Sequence, residues 1–115
     1  MSSPAVAKQR QRRYMRYRFD ARIHVSVFRN GNTVAYWGRT SELGQDGLGA
    51  TLSGCLQNDE VVTLEFPLPI EPHYLRVRAV VRYSDGLRCG FEFLVLTEKQ
   101  KATLHQFCVI LANAS

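Results

Sequence analysis

Apolar and polar residues alternate through much of this chain. Ile23, Val25 and Val27 are separated by His24 and Ser26, the two-residue period of a strand with one buried face. Arg29-Asn30-Gly31-Asn32 follows, and an Asn-Gly pair supplies positive φ at little cost. Thr33 to Arg39, with Tyr36 and Trp37, is therefore predicted to return as the second arm of a hairpin. Ala50 to Leu52, Val61 to Leu68, Leu75 to Tyr83 and Arg88 to Leu94 read as further strands. They are punctuated by Asn58-Asp59, by Pro67, Pro69 and Pro72, and by the turn Ser84-Asp85-Gly86. The period then changes. Thr97-Glu98-Lys99-Gln100 has the T-x-x-Q form of a capping box, and Leu104, Phe107, Cys108 and Leu111 recur at helical spacing, which predicts one helix with a single apolar stripe. The expectation is an all-β domain, a six-stranded antiparallel barrel with a C-terminal α-helix, because closure removes exposed strand edges.

One segment of the body stands apart. Leu43-Gly44-Gln45-Asp46-Gly47-Leu48-Gly49 places three glycines within six residues, which calls for a backbone that turns sharply or is approached closely.

At 115 residues, with close to half of them apolar, the chain has room for one domain and one modest core. No run approaches the roughly 18 apolar residues of a membrane span, and the start MSSPAVAKQRQRR carries no secretory-type apolar segment, so a cytoplasmic location is expected. Cys55, Cys89 and Cys108 are odd in number and far apart, with no metal-ligand spacing, and are read as reduced, packed thiols.

The net charge of +5 is unevenly placed. Residues 1 to 30 carry +7, with Lys8 and a series of arginines set against Asp20 alone, and the remainder sums to −2. Residues 1–22 are accordingly read as a basic N-terminal arm without apolar periodicity, mobile until a partner orders it, and residues 23–115 as the barrel with its helix. Such an arm suits an anionic partner: nucleotide phosphate, nucleic acid or acidic lipid.

Catalysis finds no support. Ser41, Ser53 and Ser84 lack a nucleophile-elbow context, His24, His73 and His105 are scattered, and no carboxylates form an acid and base pair. Gly44, Gly47 and Gly49 lie between strands and open no helix, so they form neither a P-loop nor a dinucleotide fingerprint. No cofactor and no metal site is expected.

Arg12-Arg13-Tyr14-Met15-Arg16, taken with Glu42-Leu43-Gly44-Gln45-Asp46-Gly47 some 26 residues on, resembles the PilZ family. That family carries R-x-x-x-R before its first strand and (D/N)-x-S-x-x-G between its second and third. Arg12 and Arg16 match the first motif and Gly47 the end of the second. Glu42 stands in the Asp or Asn position and Gly44 in the Ser position. The resemblance extends through Leu48-Gly49, the run from Leu75, Gly90-Phe91-Glu92-Phe93 and the helix. It implies a PilZ-type barrel and cyclic di-GMP as ligand, with Arg12 and Arg16 gripping guanine and phosphate, Arg13 and Arg18 assisting, and Glu42, Gly44 and Gly47 as the opposing wall. Arginine suits that ligand, since its guanidinium fork meets phosphate and the guanine O6 and N7 edge bidentately and its plane stacks on purines. Glu42 keeps acceptor oxygens for a guanine edge, displaced by one methylene, whereas Gly44 has lost a hydroxyl.

Two other readings stay open. One is a PilZ domain that no longer binds nucleotide and works as a protein interaction module. The other is a nucleic-acid-binding barrel, in which Tyr14, Tyr17, Phe19, Tyr36 and Trp37 would serve single strands.

Overall fold

A computed structural model describes residues 14–114. Seven strands and one helix succeed one another: β1 (Tyr17–Arg18), β2 (Arg22–Arg29), β3 (Asn32–Leu43), β4 (Gly47–Leu52), β5 (Val61–Pro67), β6 (Tyr74–Asp85), β7 (Arg88–Leu94) and α1 (Glu98–Ala114). Every pairing is antiparallel. The order β3-β2-β5-β6-β7-β4 closes on itself through β3 and β4, giving a six-stranded barrel with β1 added outside the ring on β3.

Local chemistry accounts for the joints. Asn30 and Gly31 have φ of 49° and 81°, the pair of positive values that a two-residue hairpin turn between right-twisted strands requires. The capping box at α1 is reciprocal: the Gln100 N–H donates to Thr97 Oγ1 and the Thr97 N–H donates to Gln100 Oε1, each at 3.0 Å. Thr103, Leu104, Phe107 and Cys108 are buried on one side of α1, which lays that stripe against the core. Ile23, Val25, Leu43, Leu48, Leu64, Phe66 and Phe91 fill the barrel interior and are essentially inaccessible.

A β-bulge near the end of β3 reverses the facing of its last residues. Thr40 pairs with Ala50 but Glu42 with Gly49, so Ser41 is the extra residue. Up to the bulge the inward positions are Val34, Tyr36, Gly38 and Thr40; beyond it the phase flips, sending Leu43 into the core and turning Glu42 out.

The structure departs from the sequence reading in three places. Tyr17 to Ala21, assigned to a free arm, is folded onto the barrel. Tyr17 and Arg18 pair with Leu43 and Glu42, and the buried Thr40 hydroxyl donates to the Phe19 carbonyl at 2.5 Å and accepts the Ala21 N–H at 2.8 Å. Phe19 supplies the apolar anchor, edge-on to Phe66 at 6.3 Å and to Phe107 at 5.1 Å between ring centroids. Strands β3 and β4 reach further into the glycine-rich segment than expected, so Gly47 and Gly49 are strand residues. Cys89 and Cys108 are buried free thiols, but Cys55 is exposed.

Candidate functional site

The segment leading into β1 passes over the turn between β3 and β4. That turn is short: the Gly44 N–H donates to the Gly47 carbonyl at 2.9 Å, and the Asp46 carbonyl accepts the Phe93 N–H at 2.9 Å, pinning the turn to β7. Neither Gly44 nor Gly47 has positive φ, so their lack of a side chain serves close approach. A Cβ on Gly44 would lie 2.8 Å from the Met15 carbonyl oxygen and 2.8 Å from Arg16 Cδ. One on Gly47 would meet the Phe91 carbonyl and sit 3.1 Å from Arg16 Nη2. The two glycines form the bed on which Arg16 lies.

Two carboxylates hold its guanidinium. Arg16 Nη1 donates to Glu42 Oε2 at 3.1 Å, and Arg16 Nε is 3.6 Å from Asp46 Oδ1. The Arg16 side chain is only 12% exposed. Its Nε and Asp46 Oδ1 are covered yet make no hydrogen bond, too far apart to satisfy each other. A buried polar atom in that state costs about 1–3 kcal/mol. Beneath the pair is Cys108. Burial pushes its thiol up to about 11, and the Asp46 carboxylate adds to the shift while Arg16 opposes it.

Of the residues singled out from the sequence, Arg16, Glu42, Gly44 and Gly47 come together here. Arg18 is exposed in β1, directly opposite Glu42 in register. Arg12 and Arg13 lie outside the described residues. Asp46 was missed as a site residue, although a carboxylate one position before Gly47 is the natural counter-ion for an arginine crossing this turn. Beside the turn, an open depression of about 640 Å³ is bounded by Tyr14, Gln45 and Asp46, by Phe93 at the end of β7, and by Lys101 and His105 of α1. Among the described residues no His, Cys, Asp and Glu cluster could hold a metal ion, and no helix is long and apolar enough to cross a membrane.

Fold and site together define a small closed β-barrel in which an arginine-bearing leader lies across a glycine-rich inter-strand turn. A PilZ domain profile matches residues 10–109, and the chain belongs to the PilZ family. Solved structures with the same fold include the PilZ domain with c-di-GMP of YcgR from Escherichia coli, at a TM-score of 0.69 and 16% identity, covering 91% of this chain and 94% of that one. The Klebsiella pneumoniae MrkH–c-di-GMP complex gives 0.68 and 13%, covering 90% and 52%. The Bacillus subtilis inhibitor of motility MotI/DgrA gives 0.66 and 20%, covering 87% and 50%. In the last two cases the chain spans about half the length of the matched protein. A search of curated proteins finds no match.

Proposed function

We propose that this chain is a cyclic di-GMP receptor or adaptor domain of the bacterial cytoplasm, which binds the second messenger and performs no chemistry on it. The observation that carries this reading is Arg16 laid over Gly44 and Gly47, a largely covered arginine with an unsatisfied Nε at the turn where the resemblance set the ligand wall. Arg16 and Arg12 take guanine and phosphate, Arg13 and Arg18 assist, and the Glu42 carboxylate accepts from a guanine N1 and N2 edge. The adjoining depression of about 640 Å³ falls within the size range of nucleotide and drug-sized sites.

Calorimetric titration of the chain with cyclic di-GMP, with GMP and a short oligonucleotide as controls, tests the proposal. Saturable binding of the cyclic dinucleotide alone is expected, lost in Arg16→Ala and kept in Arg39→Ala, a change at an exposed arginine paired with Asp20. Equal binding by Arg16→Ala overturns the assignment of Arg16. A specific observation favours a second reading, a PilZ domain without nucleotide that serves as a protein interaction module: Glu42 and Asp46 already engage Arg16 from within the chain. No heat with any nucleotide selects it, and heat with the oligonucleotide alone selects a nucleic-acid-binding barrel.

A further inference from the structure

The outer face of β2, β3, β5 and β6 carries a second constellation, away from Arg16. Trp37, His24, Glu65 and Arg76 are register neighbours on four successive strands and form one row across it. Trp37 is 60% exposed and Tyr74 50% exposed. Between them lies a depression of about 300 Å³, lined by Arg22, His24, Trp37, Glu65, Pro67 and Tyr74.

The acid within this groove is matched, whereas one arginine at its rim and one beyond it are not. Glu65 is held by His24 Nδ1 at 3.0 Å and by Arg76 Nε at 3.1 Å, and the Tyr74 hydroxyl hydrogen-bonds the same carboxylate. The single acid on the row is thereby offset by Arg76 and engaged from within the groove. Arg22, at one end of the groove, and Arg78, two residues beyond Arg76 on β6, have no carboxylate partner among the described residues. Every cation on the strands is arginine, and none is lysine. Exposed Trp, Tyr and Arg with lysine absent is the composition of an interface centre, where rigid aromatic area and bidentate cations supply most of the binding energy.

We infer that this groove docks an acidic protein segment in extended conformation, which sets an apolar side chain between Trp37 and Tyr74 and carboxylates on Arg22 and Arg78. The register gives the spacing. Arg78 pairs with Thr63 and Thr63 with Ser26, so Arg78 lies four residues along β2 from Arg22 and two strands across. That is about 13 Å by about 10 Å, a diagonal of about 16 Å, which an extended chain covers in about five residues. A single-stranded nucleic acid fits less well, since it offers a phosphate at every step where the face offers two unpaired cations, and the Trp37 ring is already covered on one side by His24 at 4.4 Å.

Trp37 is the only tryptophan, so its emission reports the groove without a label. A displayed library of random nonapeptides is selected on the immobilised full chain. Enriched peptides are then titrated while the Trp37 emission is read. The expected peptides carry two acidic positions flanking an apolar one, shift the emission to the blue, and bind at least tenfold more weakly to Arg22→Glu and to Tyr74→Ala, with both variants melting near the parent temperature. Peptides that do not distinguish the parent from Tyr74→Ala overturn the inference, as do basic consensus sequences. An oligothymidylate that saturates the Trp37 signal below the concentration any selected peptide requires assigns the face to nucleic acid instead. No nucleotide other than that control enters the experiment, so its outcome is independent of the cyclic di-GMP reading.

Discussion

Replacing Gly44 probes why the leader lies flat on the barrel. An alanine there places Cβ 2.8 Å from the Met15 carbonyl oxygen and from Arg16 Cδ, contacts that ordinary packing keeps beyond about 3.4 Å. One of the atoms in the way is backbone, so rotating the arginine does not relieve the overlap and the leader must lift by about half an ångström or more. Overpacking of this kind costs about 1–3 kcal/mol. The cost falls on the leader next to Arg16, where a two-residue ladder to β3 and a Phe19 N–H bond to the Ser41 carbonyl at 3.2 Å precede the firmer anchorage of Phe19 and Ala21 on Thr40 and the core. Since 1.4 kcal/mol is a factor of ten, amide exchange at Tyr17 to Phe19 is expected to quicken about fivefold or more in Gly44→Ala, while Val25 and Leu64 in the core keep their protection. Gly44→Ser places the same Cβ and adds the hydroxyl of the family pattern, so the difference in cyclic di-GMP affinity between the two variants isolates that hydroxyl, at about 1.5–3 kcal/mol if it meets a charged phosphate. Gly44 lacks positive φ, so backbone strain does not confound the comparison. Unchanged exchange at Tyr17 to Phe19 in Gly44→Ala would refute the argument, because the close approach would then not be what the glycine is for.

Arg29 grips Glu60 through Nε and Nη2, each at 2.7 Å, and its hydrogen bond holds the Glu60 carboxyl below its ordinary 4.5. A depressed carboxyl stabilises above its unfolded pKa and loses that contribution as pH falls through the folded value; Glu60→Gln is therefore expected to cost about 2 kcal/mol near neutrality, the gap to the parent closing below pH 4.5 in denaturant titrations at several pH values. With Cys55 exposed and Cys89 and Cys108 buried, burial raising both of the latter, Ellman's reagent at about pH 8 is expected to find one thiol per native chain and three in denaturant. Phe19→Ala removes the edge contacts to Phe66 and Phe107; an expected loss of about 2 kcal/mol by denaturant titration, with faster exchange at Tyr17 and Arg18, separates an anchored leader from an incidental one.

How much of this was legible depends on the range of the signal. The Asn30-Gly31 hairpin and the Thr97 to Gln100 capping box are local devices whose geometry is fixed within four residues, and both form as read. The helix stripe through Leu104, Phe107 and Cys108 is likewise a short-range period. Strand β1 was illegible because two residues show no alternation; what places it is Phe19 reaching Phe66 and Phe107, contacts 47 and 88 positions away. The extent of β3 was hidden by its own bulge, since an extra Ser41 shifts the apolar phase and makes Leu43 look like the start of a loop. At the site, the arginine and the glycines announced themselves by type and spacing. Their relationship did not, because a glycine spared for close approach and one spared for positive φ look alike in sequence.

The grip of Glu42 and Asp46 on Arg16 also bears on how a ligand would be felt elsewhere. If cyclic di-GMP takes the arginine, it competes with a partly buried ion pair, and an internal contact of about 1.4 kcal/mol weakens apparent affinity tenfold by leaving only that fraction of molecules competent. The same competition is what allows a signal. Four residues beyond Arg18 the chain reaches Arg22 at the rim of the Trp37–Tyr74 groove, and Asp20 in between pairs with Arg39 of β3 at 2.7 Å. Strand β3 carries both Trp37 and Glu42. A ligand that draws Arg16 off Glu42 therefore acts on one stretch of backbone whose far end lines the groove, while a ligand that leaves the pair intact has no differential contact with which to shift that end. Neutralising Asp46 separates the cases: Asp46→Asn loosens the internal grip on Arg16 while leaving the Glu42 carboxylate assigned to guanine in place, so cyclic di-GMP should bind at least as tightly while peptide binding at the groove responds to it less.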